Sequence, residues 1–152
     1  MVAREQLGAW AVRLTRPIVL TNGVFDLLHR GHVTYLARAR ALGASLVVAV
    51  NSDASVRLLG KGADRPINTE QDRAALLAAL ESVTLVTIFD ELVPLAVLQI
   101  VRPEIYVKGG DYSIKSTPEA QLARTWNARV LGIPFEHDRS TTALLDRVRS
   151  TR

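Results

Sequence analysis

The stretch Gly23-Val-Phe-Asp-Leu-Leu-His29-Arg-Gly31-His32 decides how the rest of the chain is interpreted. The apolar residues 18–21 precede it and predict a first strand, and residues 31–42 have the apolar spacing of a helix that stops at Gly43. Two histidines therefore lie three residues apart at the mouth of a helix. We expect their side chains to point the same way, toward the positive end of the helix dipole.

Short apolar runs alternate with longer amphipathic segments along the remainder of the chain. Further strands are expected at residues 46–50, 85–89, 105–107 and 129–133, and further helices at 68–80, 92–101, 119–126 and from about Thr142. Residues 51–66 are interpreted as a polar loop, and Asn68 as the N-cap of the helix after it, with Gln71 as its partner. This order predicts an α/β fold, a doubly wound, mostly parallel, five-stranded Rossmann-like sheet with helices on both faces. No repeat or linker interrupts the pattern, so a single domain over residues 1–152 is expected.

The composition excludes several classes of protein. The chain has 152 residues, 48% hydrophobic and 22% charged, and this is typical of a globular protein. Because it contains no cysteine, disulfides, thiolate catalysis and cysteine zinc sites are excluded. The first 16 residues lack a continuous apolar core and no apolar run approaches ~20 residues, so we expect no signal peptide, no membrane partner and a cytoplasmic location. A net charge of +4 suits anionic ligands, but without a basic stripe it does not indicate nucleic acid binding.

Polar and glycine residues follow the predicted strands at the points where ligands bind in such folds. In doubly wound sheets the ligand lies beyond the carboxyl ends of the strands. Asn22 and Gly23 follow the first strand, Asp53 the second, and Lys108-Gly109-Gly110-Asp111 the fourth. Ser140-Thr141-Thr142 precedes the last predicted helix, whose amino end offers free N–H groups to an anion. The sequence therefore predicts an anion site at this edge of the sheet.

Two other interpretations of the histidine pair remain open at this point. His29 and His32 could be structural, or they could bind a metal ion. A zinc site takes three or four protein ligands, and the only other histidine in the sequence is His137. We therefore predict no protein metal site.

Residues 21–32 resemble the His-x-Gly-His signature of the cytidylyltransferase-like nucleotidyltransferase superfamily. Further marks of that superfamily recur in order at Lys61, Arg65-Pro66, Asp72-Arg73, Lys108–Tyr112 and Ser140–Thr142, so the resemblance covers about residues 16–148. Residues 50–53 and the last two marks are similar to members that make ADP-heptose from ATP and D-glycero-beta-D-manno-heptose 1-phosphate. The resemblance implies this reaction, with release of pyrophosphate, for lipopolysaccharide core synthesis. In some relatives this domain is fused behind a sugar kinase; the 152 residues leave no room for one, so we expect the stand-alone form.

The resemblance also implies roles for individual residues. His29 and His32 would contact the triphosphate and stabilise the charge that develops on transfer, and Lys61 would close over the phosphates. The implied nucleotide- and phosphate-binding residues are Asn22, Gly23, Val24, Phe25, Asp26, Gly31, Arg73, Lys108, Gly109, Gly110, Asp111, Ser140, Thr141 and Thr142. Asp53, Tyr112 and Arg139 would line the substrate site. Magnesium would accompany ATP, without a protein ligand that the sequence identifies.

Other interpretations of these residues and of the function remain open. Lys61 could be a surface lysine, Asp26 could cap a helix, and Arg73 could pair with Glu70 on its own helix. Some relatives have a glycine and a small residue where this chain has His137-Asp138-Arg139. The enzyme could instead join CTP to a polyol phosphate such as glycerol 3-phosphate, or the chain could be a non-catalytic nucleotide-binding module. Relatives are often dimers, so a homodimer is expected.

Overall fold

The protein contains five parallel strands in one sheet. The computed structural model describes residues 1–60, 62, 64–110, 116–134, 144–145, 147–148 and 150. Its strands are β1 Ile18–Gly23, β2 Ser45–Asn51, β3 Leu85–Phe89, β4 Ile105–Gly109 and β5 Arg129–Ile133. They lie in the order β3-β2-β1-β4-β5, and every pairing is parallel. The predicted fold class is confirmed.

Helices cover both faces of the sheet. They are α1 Leu7–Ala11, which follows a 3-10 turn at Arg4–Gln6, then α2 Arg30–Arg40, α3 Asp53–Leu58, α4 Glu70–Ala78, α5 Leu95–Val101 and α6 Pro118–Arg124. Buried residues of α1, α5 and α6 pack with Leu20 and Tyr106 into one core. Buried residues of α2 and α4 pack with Val19 and Val48 into a second core on the opposite face. Alternate residues of the inner strands thus enter different cores, as the two-residue repeat of a strand requires.

The strand order creates a topological switch point between β1 and β4. The chain leaves β1 for α2 on one face, whereas the next described helix after β4 is α6 on the other face. In open α/β sheets the ligand binds in the crevice where the two connections diverge. We call the space beyond the ends of these strands, between Asn22 and Lys108, the switch-point crevice.

A close backbone approach explains the glycine that follows α2. A Cβ atom at Gly43 would lie 2.6 Å from the carbonyl oxygen of Pro17 and 2.8 Å from Cγ2 of Val19. The loop from α2 can enter β2 beside the start of β1 only because that position has no side chain. Helix α2 ends at Arg40, three residues before the stop predicted at Gly43.

Three local predictions were wrong in detail. Residues 51–66 are not all loop, because the Ser52 hydroxyl caps α3 by accepting a hydrogen bond from the Ser55 N–H at 3.1 Å. The cap of α4 is Thr69 rather than Asn68, and it accepts from the Asp72 N–H. Helix α5 begins at Leu95 instead of residue 92. The start of the last predicted helix, at Thr142, lies outside the described residues.

Within the described residues, no helix is long and apolar enough to cross a bilayer.

Candidate active site

The two signature histidines stack on each other at the start of α2. His29 is the N-cap residue, with an extended backbone, and its side chain makes no capping hydrogen bond. The His32 N–H donates to the His29 carbonyl oxygen at 2.9 Å, which closes the first turn. The ring centroids are 3.8 Å apart and the ring planes differ by 23°. The prediction that both rings point the same way is confirmed.

The environment of His32 keeps its ring neutral at neutral pH. The pKa of His32 is lowered from 6.5 to about 4, first by burial and then by the adjacent His29 ring, while a backbone hydrogen bond involving Leu27 acts in the opposite direction. Burial is the largest cause because an imidazolium loses hydration when apolar residues cover it. An anion placed against the ring would raise the pKa of His32 again, because it favours the imidazolium. The charge of His32 therefore depends on whether an anion lies beside it.

Phe25 packs against the histidine pair. Its φ angle of 50° lies in the left-handed region, and its ring meets His32 edge to face with the centroids 5.3 Å apart. A Cβ atom on Gly23 would come within 3.0 Å of Phe25 Cε2. Gly23 is therefore required for this ring position.

Asp26 holds the segment that precedes α4. Its carboxylate is buried and accepts hydrogen bonds from the backbone N–H groups of Ile67 at 2.8 Å and Asn68 at 3.0 Å. The Arg65 guanidinium forms an ion pair with the same carboxylate at 2.9 Å. In the structure Asp26 thus positions residues 65–68, and it does not cap α2, whose N-cap is His29. Its predicted contact with the ligand stays a prediction.

Arg73 is fully buried and ties three segments together. It donates to the carbonyl oxygens of Val24 at 2.6 Å and Asn68 at 3.1 Å, and to the Asp53 carboxylate at 2.8 Å. Its acidic partner is Asp53 rather than Glu70, which instead accepts from the Asp53 N–H at 2.7 Å. Arg73 therefore joins the β1–α2 loop to the amino ends of α3 and α4.

A buried polar chain at the switch-point crevice was not predicted. The Tyr106 hydroxyl donates to Asn22 Oδ1 at 2.7 Å and lies 3.5 Å from Glu119 Oε1. The same Glu119 oxygen accepts from Lys108 Nζ at 3.1 Å. Burial alone would raise the pKa of Glu119, but hydrogen bonds from its own N–H and Thr117, and the charge and hydrogen bond of Lys108, hold it below its ordinary value. Sequence signals for this chain were the alternation of Tyr106 with Lys108 and a glutamate in the first turn of α6.

The described part of the predicted site converges on the strand ends. Asn22 and Gly23 end β1, Val24, Phe25 and Asp26 follow it, and His29, Gly31 and His32 lie at the start of α2. Asp53 begins α3, and Lys108 and Gly109 end β4, where the Gly110 N–H donates to the Ile133 carbonyl oxygen at 3.0 Å. The predicted site residues Lys61, Asp111, Tyr112, Arg139, Ser140, Thr141 and Thr142 lie outside the described residues.

Carboxylates near the crevice are already engaged within the protein. Asp26 pairs with Arg65, Asp53 with Arg73, and Glu119 with Lys108. Among the residues that the structure describes, no three histidine, cysteine, aspartate or glutamate side chains are grouped to hold a metal ion. These carboxylates do not fit a dedicated protein cage for magnesium.

Comparison with known proteins assigns the class. The cytidylyltransferase-like family model matches residues 20–147, and the chain belongs to this family. A Bordetella bronchiseptica protein named D-beta-D-heptose 1-phosphate adenylyltransferase is 60% identical over 139 residues, which are 91% of this chain and 86% of that protein. The resemblance inferred from the His-x-Gly-His segment is therefore confirmed.

A bifunctional protein and a solved crystal structure are also similar to this chain. The bifunctional protein HldE of Magnetococcus marinus is 45% identical over 146 residues, which are 96% of this chain but only 30% of HldE. The crystal structure of the lipopolysaccharide core biosynthesis protein from Thermoplasma volcanium superposes with a TM-score of 0.64 at 31% identity. That match covers 80% of this chain and 98% of the other.

Proposed function

We propose that the chain is an adenylyltransferase that transfers AMP from ATP to D-glycero-beta-D-manno-heptose 1-phosphate. The products are ADP-heptose, for lipopolysaccharide core synthesis, and pyrophosphate. The observation that carries this proposal is the stacked pair His29 and His32 at the start of α2. The 60% identity to a heptose 1-phosphate adenylyltransferase supports the choice of substrates.

The reaction needs positioning and charge neutralisation more than proton transfer. An oxygen of the sugar phosphate attacks the α-phosphorus of ATP, and the bond between that phosphorus and the bridging oxygen breaks to release pyrophosphate. A phosphate monoester has a second pKa near ~6, so the nucleophile is ionised at neutral pH without a general base. Donors that are fixed before the charge develops lower the barrier of such a step.

We assign the stabilisation of this charge to the start of α2. The free N–H groups of its first turn and the positive end of the helix dipole favour an anion. The ring of His32 enters the reaction neutral and gains a proton as the triphosphate approaches, because the anion offsets the cost of burying the imidazolium. His29 stacks on this ring and completes the pair. Lys61 is proposed to close over the phosphates.

Magnesium is proposed to enter with ATP, bound to the phosphate oxygens. Mg²⁺ usually keeps several waters and takes few protein ligands. The ion pairs of Asp26, Asp53 and Glu119 agree with this route, since each carboxylate already has a cationic partner. When bound, the ion would neutralise part of the charge on the leaving pyrophosphate.

We also propose a cytoplasmic location and a homodimer. Both rest on the resemblance to sugar nucleotide enzymes. Light scattering on purified protein measures the oligomeric state directly. A monomer at micromolar concentration would contradict the proposed homodimer.

Pyrophosphate release tests the proposed reaction. Purified protein and Mg²⁺ are combined with heptose 1-phosphate or glycerol 3-phosphate, each with ATP, CTP, GTP or UTP. We expect release with ATP and the heptose alone. Pyrophosphate release only from CTP and glycerol 3-phosphate would identify the reaction as cytidylyl transfer. No pyrophosphate release in any combination would favour a non-catalytic nucleotide-binding module.

A further inference from the structure

Asn22 lies at the switch-point crevice with one end of its amide fixed. It is the fifth residue of β1, and its Oδ1 accepts the hydrogen bond from Tyr106 at 2.7 Å. Within the part of the chain that the structure describes, Nδ2 of Asn22 makes no hydrogen bond to protein. A carboxamide whose oxygen is held in this way presents its two N–H groups elsewhere. The acceptor that suits them is an oxygen of a ligand.

Tyr106 is suited to hold the amide in this orientation. Its side chain is fully buried in β4, and its pKa is raised well above the ordinary value, first by burial and then by the charge of Glu119. The phenol therefore remains protonated and acts as a donor. In the structure it donates its single proton to the oxygen of Asn22, and this contact turns the amide nitrogen away from the phenol.

Glu119 lies beside the phenol on the α6 side. Its carboxylate is buried on α6, 3.5 Å from the Tyr106 hydroxyl and 3.1 Å from Lys108 Nζ. Asn22, Tyr106 and Lys108 all face α6 because their positions alternate with those that enter the α2 core. The chain thus reaches from α6 across β4 to β1.

We infer that Tyr106 is a positioning residue that directs the N–H groups of Asn22 to a phosphate oxygen of the bound nucleotide. This inference rests on the proposed function for the identity of the nucleotide. It assigns a role in ligand binding to a buried tyrosine that touches no ligand. Tyr106 acts only through Asn22.

The structure also contains a matched control. Tyr35 is buried on α2, and its hydroxyl lies 2.6 Å from Thr21 Oγ1, one residue before Asn22 on the same strand. Thr21 faces the opposite core, so this hydrogen bond does not reach the amide of Asn22. Tyr106→Phe and Tyr35→Phe therefore each remove one buried phenol oxygen, but only the first removes the hydrogen bond to Asn22.

Calorimetric titration with ATP and Mg²⁺ tests the inference on the full chain. We expect Tyr106→Phe to raise the Kd for ATP about 10-fold, as for the loss of one oriented hydrogen bond, and Tyr35→Phe to leave it within about 2-fold of the wild type. In an Asn22→Ala background, Tyr106→Phe should have no further effect. Equal Kd values for the two tyrosine variants, or a loss that persists without Asn22, would overturn the inference.

A second measurement needs no variant. In the wild-type protein, the side-chain NH₂ resonances of Asn22 should shift on saturation with ATP. Those of Asn51, whose Nδ2 is buried and donates to Ser55 at 2.9 Å, should not. An unchanged Asn22 signal contradicts the inference even where Tyr106→Phe does not fold. If the protein binds ATP but releases no pyrophosphate, only the proposed reaction is refuted. If it does not bind ATP, both the proposed reaction and the inferred role of Tyr106 are refuted.

Discussion

At the scale of single residues, two properties of the histidine pair combine in the site. His32 is held neutral by burial, and it lies where a helix amino end favours an anion. A ring in this state has no charge to attract competing anions, and under the proposed function it would become a charged donor when a triphosphate binds. The neutral ring is thus compatible with electrostatic stabilisation of the transition state.

Replacing His32 by alanine should lower turnover by about 100-fold or more, since one oriented donor to the developing charge is lost. Pyrophosphate release measures the effect. Val33→Ala is the control, because Val33 is the next residue on α2 and its side chain is 43% exposed. Near-normal turnover in folded His32→Ala would contradict the assigned role.

ATP binding should be accompanied by proton uptake at His32. In the free protein the pKa of His32 is about 4. A bound anion is expected to raise this pKa, so at pH values above about 4 the complex should hold more protons than the free protein. The affinity for ATP should consequently rise as pH falls from neutrality toward about 4. Titrations in buffers of different ionisation enthalpy count the protons, and His32→Asn removes this contribution. Equal uptake by both proteins would be inconsistent with the prediction.

At the scale of elements, buried ion pairs define how helices meet the sheet. Arg73 of α4 reaches the β1–α2 loop through Val24 and the start of α3 through Asp53. Asp26 of the same loop reaches back to the segment before α4. These contacts, made by Arg73 and by Asp26, hold the β1–α2 loop against α4. The same loop leads into the histidine pair at the start of α2.

Arg73→Met should lower the free energy of unfolding by about 3 kcal/mol, because it leaves the Asp53 carboxylate and two carbonyl oxygens without their donor. Urea unfolding measures the change. Arg57→Met on exposed α3 surface is the control and should change stability by less than about 1 kcal/mol. A loss equally small for Arg73→Met would show that this ion pair does not hold the elements together.

At the scale of the whole molecule, the two cores share one sheet. Val19 and Leu20 are neighbours in β1, yet they enter different cores. One core cannot lose its strands without exposing the other. The single domain expected from the sequence pattern stays a prediction, and the shared sheet predicts that the two cores unfold together.

Thermal unfolding should therefore show one cooperative transition. Differential scanning calorimetry should give equal calorimetric and van't Hoff enthalpies. Two resolved transitions, or a van't Hoff enthalpy well below the calorimetric one, would refute the single cooperative unit.

The sequence by itself determined the five strands in their order along the chain, the helices α2, α4, α5 and α6, and the position of the histidine pair. The strands at residues 85–89 and 129–133 were predicted with the observed bounds. These features are local, because apolar periodicity and glycine turns are written in neighbouring residues. The convergence of the polar residues at one edge of the sheet followed as well, since parallel strands place their carboxyl ends together.

Only the tertiary structure decided which polar side chains meet. Arg73 lies 49 residues from Val24, and Tyr106 lies 84 residues from Asn22. Neither partner can be found from local pattern, because each contact depends on strand order, register and the face on which a helix packs. The short helix α3 was missed for a related reason, since six residues carry too little periodicity and depend on the Ser52 cap and the Arg73 contact.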